Sequence, residues 1–178
     1  VPGGADGHGG LASRSKRLLD QLTQAVTLPA HGRLLEIGCG NGSFLKTFSQ
    51  DFPGWTSVGT EFNDKYKARV ESIHNVEKVH TGPVEEVEGE FDMATMIHVL
   101  EHIPWPGPLM ATLRGKLGAG KLILDLPHHG LNPYDLVVAD HCSHFVEDSV
   151  RGFLTRQGFS ASTVTTQWIR KELVVVAE

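Results

Sequence analysis

Two cysteines, Cys39 and Cys142, are too few to build a disulfide framework in 178 residues, and a reducing, cytoplasmic setting is the expectation. No apolar stretch approaches the roughly 20 residues that cross a bilayer, and no secretory leader is recognisable, so no membrane partner is expected. Basic runs are also scarce. The longest, Arg14-Ser15-Lys16-Arg17, reads as the polar face of a helix, and with a net charge of −5 nucleic acid is not an expected partner. No internal repeat is visible. What the chain does have is 40% apolar residues, enough for one globular core over residues 11–178. The first ten residues carry five glycines, begin at Val1 and show no apolar periodicity. They read as a head that is flexible or was introduced by cloning, and a neighbouring domain of a longer chain is compatible with that start.

The most informative segment is Leu34-Leu35-Glu36-Ile37-Gly38-Cys39-Gly40-Asn41-Gly42-Ser43-Phe44. An apolar strand passes through an acid into three glycines spaced two apart, and a helix follows. Glycines there permit positive φ and let a ligand approach bare main chain, while the helix start offers free N–H groups. A dinucleotide fingerprint would need a third glycine at position 43, which is Ser43, and no Gly-Lys-Ser/Thr follows for a phosphate loop. A second signal is Trp55-Thr56-Ser57-Val58-Gly59-Thr60-Glu61, a β-branched run ending in an acid able to accept from two ribose hydroxyls. A third is Phe91-Asp92 followed by an apolar strand and then His98-Val99-Leu100-Glu101-His102.

The pattern E-x-G-x-G-x-G resembles motif I of the class I S-adenosylmethionine-dependent methyltransferases, and the segment from Phe91 to His102 resembles their fourth-strand motif. The resemblance covers nearly all of residues 11–178 and implies S-adenosylmethionine as cofactor. It implies that Glu36 holds the amino-acid end, usually through water, and that Gly38, Cys39, Gly40, Asn41, Gly42 and Phe44 form the turn beneath the methionine and ribose. Glu61 would take the ribose and Phe62 would lie on the adenine. Gly82, Pro83 and Val84 would frame the base; Pro83 stands where the family often has an acid, so a backbone carbonyl or Glu85 would have to serve. Ile97, His98 and Val99 would lie beside the sulfonium. The alternative for His98 and His102, four apart on one face of a helical turn, is that they merely cap it or hydrogen-bond backbone.

Coarse periodicity agrees with such a fold. Leu11, Leu18, Leu19, Leu22, Ala25 and Val26 share a helical face. Strands are expected at 34–38, 56–60, 79–81, 91–97 and 120–126, and helices at 43–52, 64–74 and 106–117. Helix 147–157 and strands 160–166 and 169–178 follow, the last two adjacent and therefore antiparallel. This alternation predicts an α/β, doubly wound, Rossmann-like architecture with a seven-stranded sheet, mostly parallel with an antiparallel final strand.

Six of the ten histidines lie between His98 and His144. Asp140-His141-Cys142-Ser143-His144-Phe145 resembles a D-H-x-x-H-F signature of small-molecule methyltransferases in the broad group that includes ubiquinone-type and sugar-modifying members. His141 or His144, and His128 on the preceding loop, are candidate general bases, because imidazole titrates near neutrality. A metal site is disfavoured: the H-x-x-H spacing is loose and no second cysteine pair or helical H-E-x-x-H accompanies it. The bland alternative has Asp140 or His144 capping the next helix while Phe145 fills the core. The expected activity is methyl transfer to a small-molecule acceptor, O-methylation ahead of N- or C-methylation, with substrate held by the first helix and the loop from Pro127 to Glu147. The rival is a non-catalytic S-adenosylmethionine-binding module of a larger protein; an NAD-linked enzyme is disfavoured by Ser43.

Overall fold

The apolar runs that lack alternation become strands buried on both faces. In a computed structural model, which describes residues 13–178, seven strands form one sheet in the order β3-β2-β1-β4-β5-β7-β6. The strands are β1 (Gly32–Ile37), β2 (Trp55–Thr60), β3 (Val76–His80), β4 (Met93–Ile97), β5 (Lys121–Pro127), β6 (Ala161–Thr165) and β7 (Glu172–Ala177). The first five pair in parallel, and β7 runs antiparallel to both β5 and β6. Successive residues of a strand point to opposite faces, and each face has its own core. Leu35, Leu124 and Val175 belong to one core, Leu34, Ile123 and Val174 to the other. No helix among the described residues is long and apolar enough to cross a membrane.

Helix α1 (Arg14–Ala25) buries Leu18, Leu19 and Leu22 against the second core, and the Ser13 hydroxyl accepts from the Lys16 N–H to close its amino end. Leu11 and the glycine-rich head lie outside the described residues. Helices α2 (Ser43–Asp51), α4 (Pro106–Leu117) and α5 (Glu147–Arg156) fall where periodicity places them. Helix α3 is a correction: it spans only Lys67–Glu71 instead of 64–74. Asn63 competes for the backbone by accepting from the Lys65 N–H, and Asn75, at φ 63°, turns the chain into β3 three residues earlier than expected. The final strand likewise begins at Glu172 and not at 169, because Lys171 takes φ 65° in the hairpin turn.

The strand order reverses between β1 and β4, and a crevice opens where the carboxyl ends of these strands diverge. The turn after β1 and the residues after β4 therefore face each other across it.

Candidate active site

The turn after β1 needs its glycines for two different reasons. Gly38, Gly40 and Gly42 all have positive φ, at 69°, 51° and 78°. A Cβ on Gly38 would also come within 2.5 Å of Val99 Cγ2, whereas one on Gly40 would meet nothing within 4 Å. Gly38 thus permits close contact between the β1 and β4 loops, and Gly40 leaves main chain open to the crevice. The Asn41 side chain accepts from the Ser43 N–H at 3.1 Å, satisfying one free donor at the start of α2, and Phe44 anchors that helix in the core.

Three adjoining cavities, of about 210, 330 and 140 Å³, all touch Gly38. Joined there, they form a trough of the size usual for small-molecule sites. At one end lie Glu36, Cys39, Asn41 and Ile97 with Arg14 of α1; in the middle lie Glu61 and Phe62; at the other end lie Gly82, Pro83 and Val84. Of the residues expected to hold a cofactor, all but Gly42 border these three cavities. A larger hollow, of about 530 Å³, lies behind the turn between α2 and α3 and touches neither Glu36 nor Glu61.

Glu36 is 3% exposed, and its Oε2 has no hydrogen-bond partner. Burial, and secondarily the charge of Glu61, push its carboxyl well above the ordinary value of 4.5. A carboxyl that binds its proton more tightly when folded makes the protein lose stability as pH rises from about 4.5 through the folded value. Glu36→Gln, which cannot ionise, is expected to melt higher than the parent at pH 8. A relief of about 1 kcal/mol corresponds to roughly 2–4 °C for a chain of this size. The gap should close below about pH 4.5, and an equal or lower melting point at pH 8 would count against it.

Glu61 is held at both oxygens. Oε2 accepts from the Gly40 N–H and Oε1 from the Phe62 N–H, each at 2.8 Å. A carboxylate has about four acceptor positions, so two remain for hydroxyl donors. Phe62 is 93% exposed over the trough, a large apolar ring without protein cover. On the opposite wall the Pro83 carbonyl accepts from the Glu86 N–H at 3.1 Å, and Glu85 Oε1 accepts from the Thr112 hydroxyl at 3.2 Å.

Cys39 is buried, and desolvation together with the charges of Glu36 and Glu61 raises its thiol to about 12. The thiolate is the reactive form, so iodoacetamide at pH 8 is expected to label the exposed Cys142 and spare Cys39 until denaturant is added. Two modified thiols in the native chain, seen by mass spectrometry, would contradict this.

After β4, His98 adopts φ 52°, unusual for a residue with a side chain. Its Nδ1 lies 3.1 Å from Glu101 Oε1 and its Nε2 3.3 Å from Glu172 Oε1. Burial opposes charge on the ring, but these two carboxylates outweigh it and raise the imidazole to about 9. With both nitrogens engaged, His98 forms part of the crevice wall and does not offer a free base. Arg14 Nη2 reaches Asp125 Oδ2 at 2.7 Å and Glu172 Oε2 at 2.8 Å, tying α1 to β5 and β7. Burial pushes Asp125 up against the pull of Arg14, while for Glu172 the bonds from His98 and Arg14 overcome burial and hold it low. Arg14, Asp125 and Glu172 were not among the residues that the sequence singled out.

The remaining histidines form a layer organised by one carboxylate. Asp135, 1% exposed, accepts at Oδ1 from His141 Nδ1 at 2.6 Å and at Oδ2 from His144 Nδ1 at 2.7 Å. Because a carboxylate only accepts, each histidine directs its Nδ1–H to Asp135, and in the neutral ring Nε2 is the nitrogen left with the lone pair. The rings of His102 and His141 meet edge to face at 4.7 Å. His102 Nδ1 lies 3.2 Å from Asp140 Oδ2, so it contacts a carboxylate as well as the Asp140 backbone oxygen. His102 and Asp140 line the 330 Å³ cavity beside Gly38 and Glu61, and the His141 ring packs against that of His102. Backbone N–H groups of Cys142 and Ser143 both donate to the Glu101 carbonyl, which fixes the loop over the β4 exit.

His128 does not fit the role expected for it. Its Nδ1 accepts from the Leu131 N–H at 3.0 Å and its Nε2 lies 2.9 Å from Glu147, so both nitrogens hold the loop in place. The capping alternative also fails, because Ser149 Oγ accepts from the Val146 N–H at the start of α5 and neither Asp140 nor His144 does. Phe145 is buried in the core, as that same alternative had it.

The sequence matches the family model described as "Methyltransferase domain" over residues 11–164. No curated protein sequence matches it. The fold is similar to that of TnmH, at 15% identity and TM-score 0.71, over 93% of this chain and 55% of that one. It is similar to CalO1, a methyltransferase in calicheamicin biosynthesis in its SAH-bound form, at 18% identity and TM-score 0.63, over 92% and 53%. It is also similar to magnesium protoporphyrin IX methyltransferase from Synechocystis PCC 6803 with bound SAM, at 18% identity and TM-score 0.61, over 92% and 76%. This chain spans about half the length of the first two, and at these identities the likeness is one of fold.

Proposed function

The chain belongs to the methyltransferase-domain family, in the class I S-adenosylmethionine-dependent group, and we propose that residues 11–178 form one domain transferring a methyl group from S-adenosylmethionine to a small-molecule acceptor, with a hydroxyl oxygen favoured. The observation that carries this reading is the trough itself, which joins a buried unpartnered carboxyl, a bare glycine turn, a preorganised carboxylate and an exposed aromatic ring in that order. Glu36 would receive the ammonium of the methionine end, with Arg14 in reach of the same cavity. Glu61 would accept from the ribose hydroxyls, Phe62 would cover the adenine, and Gly82, Pro83 and Val84 would border it. When bound, S-adenosylmethionine supplies a methyl group already activated on sulfonium sulfur.

What the protein itself contributes is then alignment of the acceptor and removal of its proton. Displacement at an activated methyl gains much from alignment alone, while a hydroxyl acceptor gains further from a base. His144 suits the role of base, since Asp135 holds its Nδ1–H, which leaves Nε2 as the basic nitrogen of the neutral ring, and its side chain is 30% exposed. His141 shares the same carboxylate from the more enclosed position. A cytoplasmic setting belongs to the proposal, supported by the unpaired Cys39 and Cys142. The net negative charge supports a small-molecule partner over nucleic acid.

Calorimetry with S-adenosylmethionine, its demethylated product and NAD tests the first half of the reading. Micromolar affinity for the two sulfur ligands and none for NAD is expected, and tighter NAD binding would overturn it. Turnover on a panel of hydroxylated, amine and sugar-nucleotide acceptors tests the second half. Cofactor binding without any methylated product would favour a non-catalytic module of a larger protein.

A further inference from the structure

The wall between the 330 Å³ cavity and the histidine layer carries a carboxylate and two imidazole Nε2 atoms that neither the glycine turn nor Asp135 uses. We propose that Glu101, His102 and His141 bind a divalent first-row transition-metal ion, with an open coordination position toward the cavity beside Gly38. One ligand atom from each of the three residues lies within 4.8 Å of the other two. Glu101 is 1% exposed, and its Oε2 is buried with no hydrogen-bond partner. Its Oε1, which also faces His98 Nδ1 at 3.1 Å, is 4.0 Å from His102 Nε2, beyond hydrogen-bond reach but short enough for both to ligate one ion. A buried carboxylate with one oxygen facing no donor is costly, and a cation bound by that carboxylate and two imidazoles lowers the cost.

The outer contacts match what a metal site requires. Metal-ligating histidines usually give their other N–H to a carboxylate or carbonyl, which fixes ring and tautomer. Asp135 does this for His141 at 2.6 Å, and Asp140 Oδ2 lies 3.2 Å from His102 Nδ1. Both Nε2 atoms are thereby left for the ion. Two imidazoles and one carboxylate suit zinc and its first-row neighbours better than calcium or magnesium, which prefer oxygen alone.

Two other clusters satisfy distance but not chemistry. In the set His129, Asp135 and His144, the Asp135 oxygens are already occupied by two Nδ1–H donors. In the set His98, Asp125 and Glu172, the Arg14 guanidinium already supplies the positive charge.

The site stands on these contacts alone; its use in catalysis rests on the methyl-transfer reading. His102 lines the 330 Å³ cavity, so an ion held there could bind the acceptor's hydroxyl oxygen and lower its pKa, as metals do for bound water. His144 Nε2 remains free to take the proton.

The test uses the full chain stripped with a chelator, titrated with Zn²⁺ by calorimetry and with Co²⁺ by absorption. One ion per chain with micromolar affinity is expected, together with a Zn²⁺-dependent rise in melting temperature. His102→Ala and His141→Ala should each weaken binding by on the order of 100-fold, and Asp135→Asn by roughly 10- to 100-fold. His129→Ala and the exposed His74→Ala should leave it unchanged. S-adenosylmethionine affinity measured on the same variants checks that the fold survives, and His102→Gln serves if the alanine variant does not fold. No stoichiometric binding by the parent chain would overturn the proposal. So would binding that survives in His102→Ala and disappears in His129→Ala. Metal binding without methyl transfer would leave the site standing and refute the catalytic reading separately.

Discussion

Glu61→Ala is expected to weaken S-adenosylmethionine binding by about 1.5–3 kcal/mol, a loss of roughly 10- to 150-fold. The carboxylate is held from behind by the Gly40 and Phe62 N–H groups, so its orientation is fixed before a ligand arrives and little ordering cost remains for binding. Glu61→Gln should be hardly better than alanine. An amide has an NH₂ where the carboxylate has its second oxygen, and whichever way it turns, that NH₂ meets one of the two backbone donors. Both variants should fold, since the side chain lies at the rim of the crevice and outside the core. Calorimetry on the three proteins decides the matter. Affinity unchanged in Glu61→Ala would remove this residue from the cofactor site, and a glutamine variant of parental affinity would show that the backbone donors do not matter.

The parts of this site legible in the sequence are those set by local backbone geometry. Three glycines two apart after an apolar strand point to positive φ, and Gly38, Gly40 and Gly42 all have it. A carboxylate at the end of the next strand reaches back to the turn because β1 and β2 are parallel neighbours in register. Adjacent final strands without a helix between them had to pair antiparallel, and they do. What was not legible depends on side chains that meet across long sequence separations. Arg14 reads as one basic residue on a helix surface, yet it meets Asp125 and Glu172, 111 and 158 positions away. Asp125 did leave a trace, as the lone carboxylate in the buried run Leu122-Ile123-Leu124-Asp125-Leu126. Asp135 left less. In Asn132-Pro133-Tyr134-Asp135 it reads as a turn residue, and only the fold reveals that two histidines converge on it. The overlong helix expected at 64–74 failed for a local reason, because apolar periodicity does not register an asparagine that bonds its own backbone.

Asp135→Asn is expected to lower kcat by about 10²- to 10⁴-fold while leaving S-adenosylmethionine affinity within a factor of two or so, since Asp135 borders none of the cofactor contacts. In the proposed reaction Asp135 is a positioning residue, and the effect follows from what an amide can accept. The carboxylate takes the Nδ1–H of His141 on one oxygen and that of His144 on the other. Asparagine has one oxygen and one NH₂, so only one histidine keeps its bond. The other must shift its proton to Nε2 to accept from the NH₂, and it then has no lone pair to offer an acceptor proton or an ion. A merely structural role would predict something else: a modest loss of stability, on the order of 1–3 kcal/mol for a disturbed buried hydrogen bond, with kcat intact in the folded fraction. Steady-state kinetics across pH 6–9, paired with denaturation curves, separates these outcomes. Retained kcat with an unchanged pH profile would dismiss the histidine layer from catalysis. A collapsed kcat at near-native stability, with the alkaline plateau of the profile lost, would establish that one buried carboxylate fixes the tautomers of the histidine layer that the reaction needs.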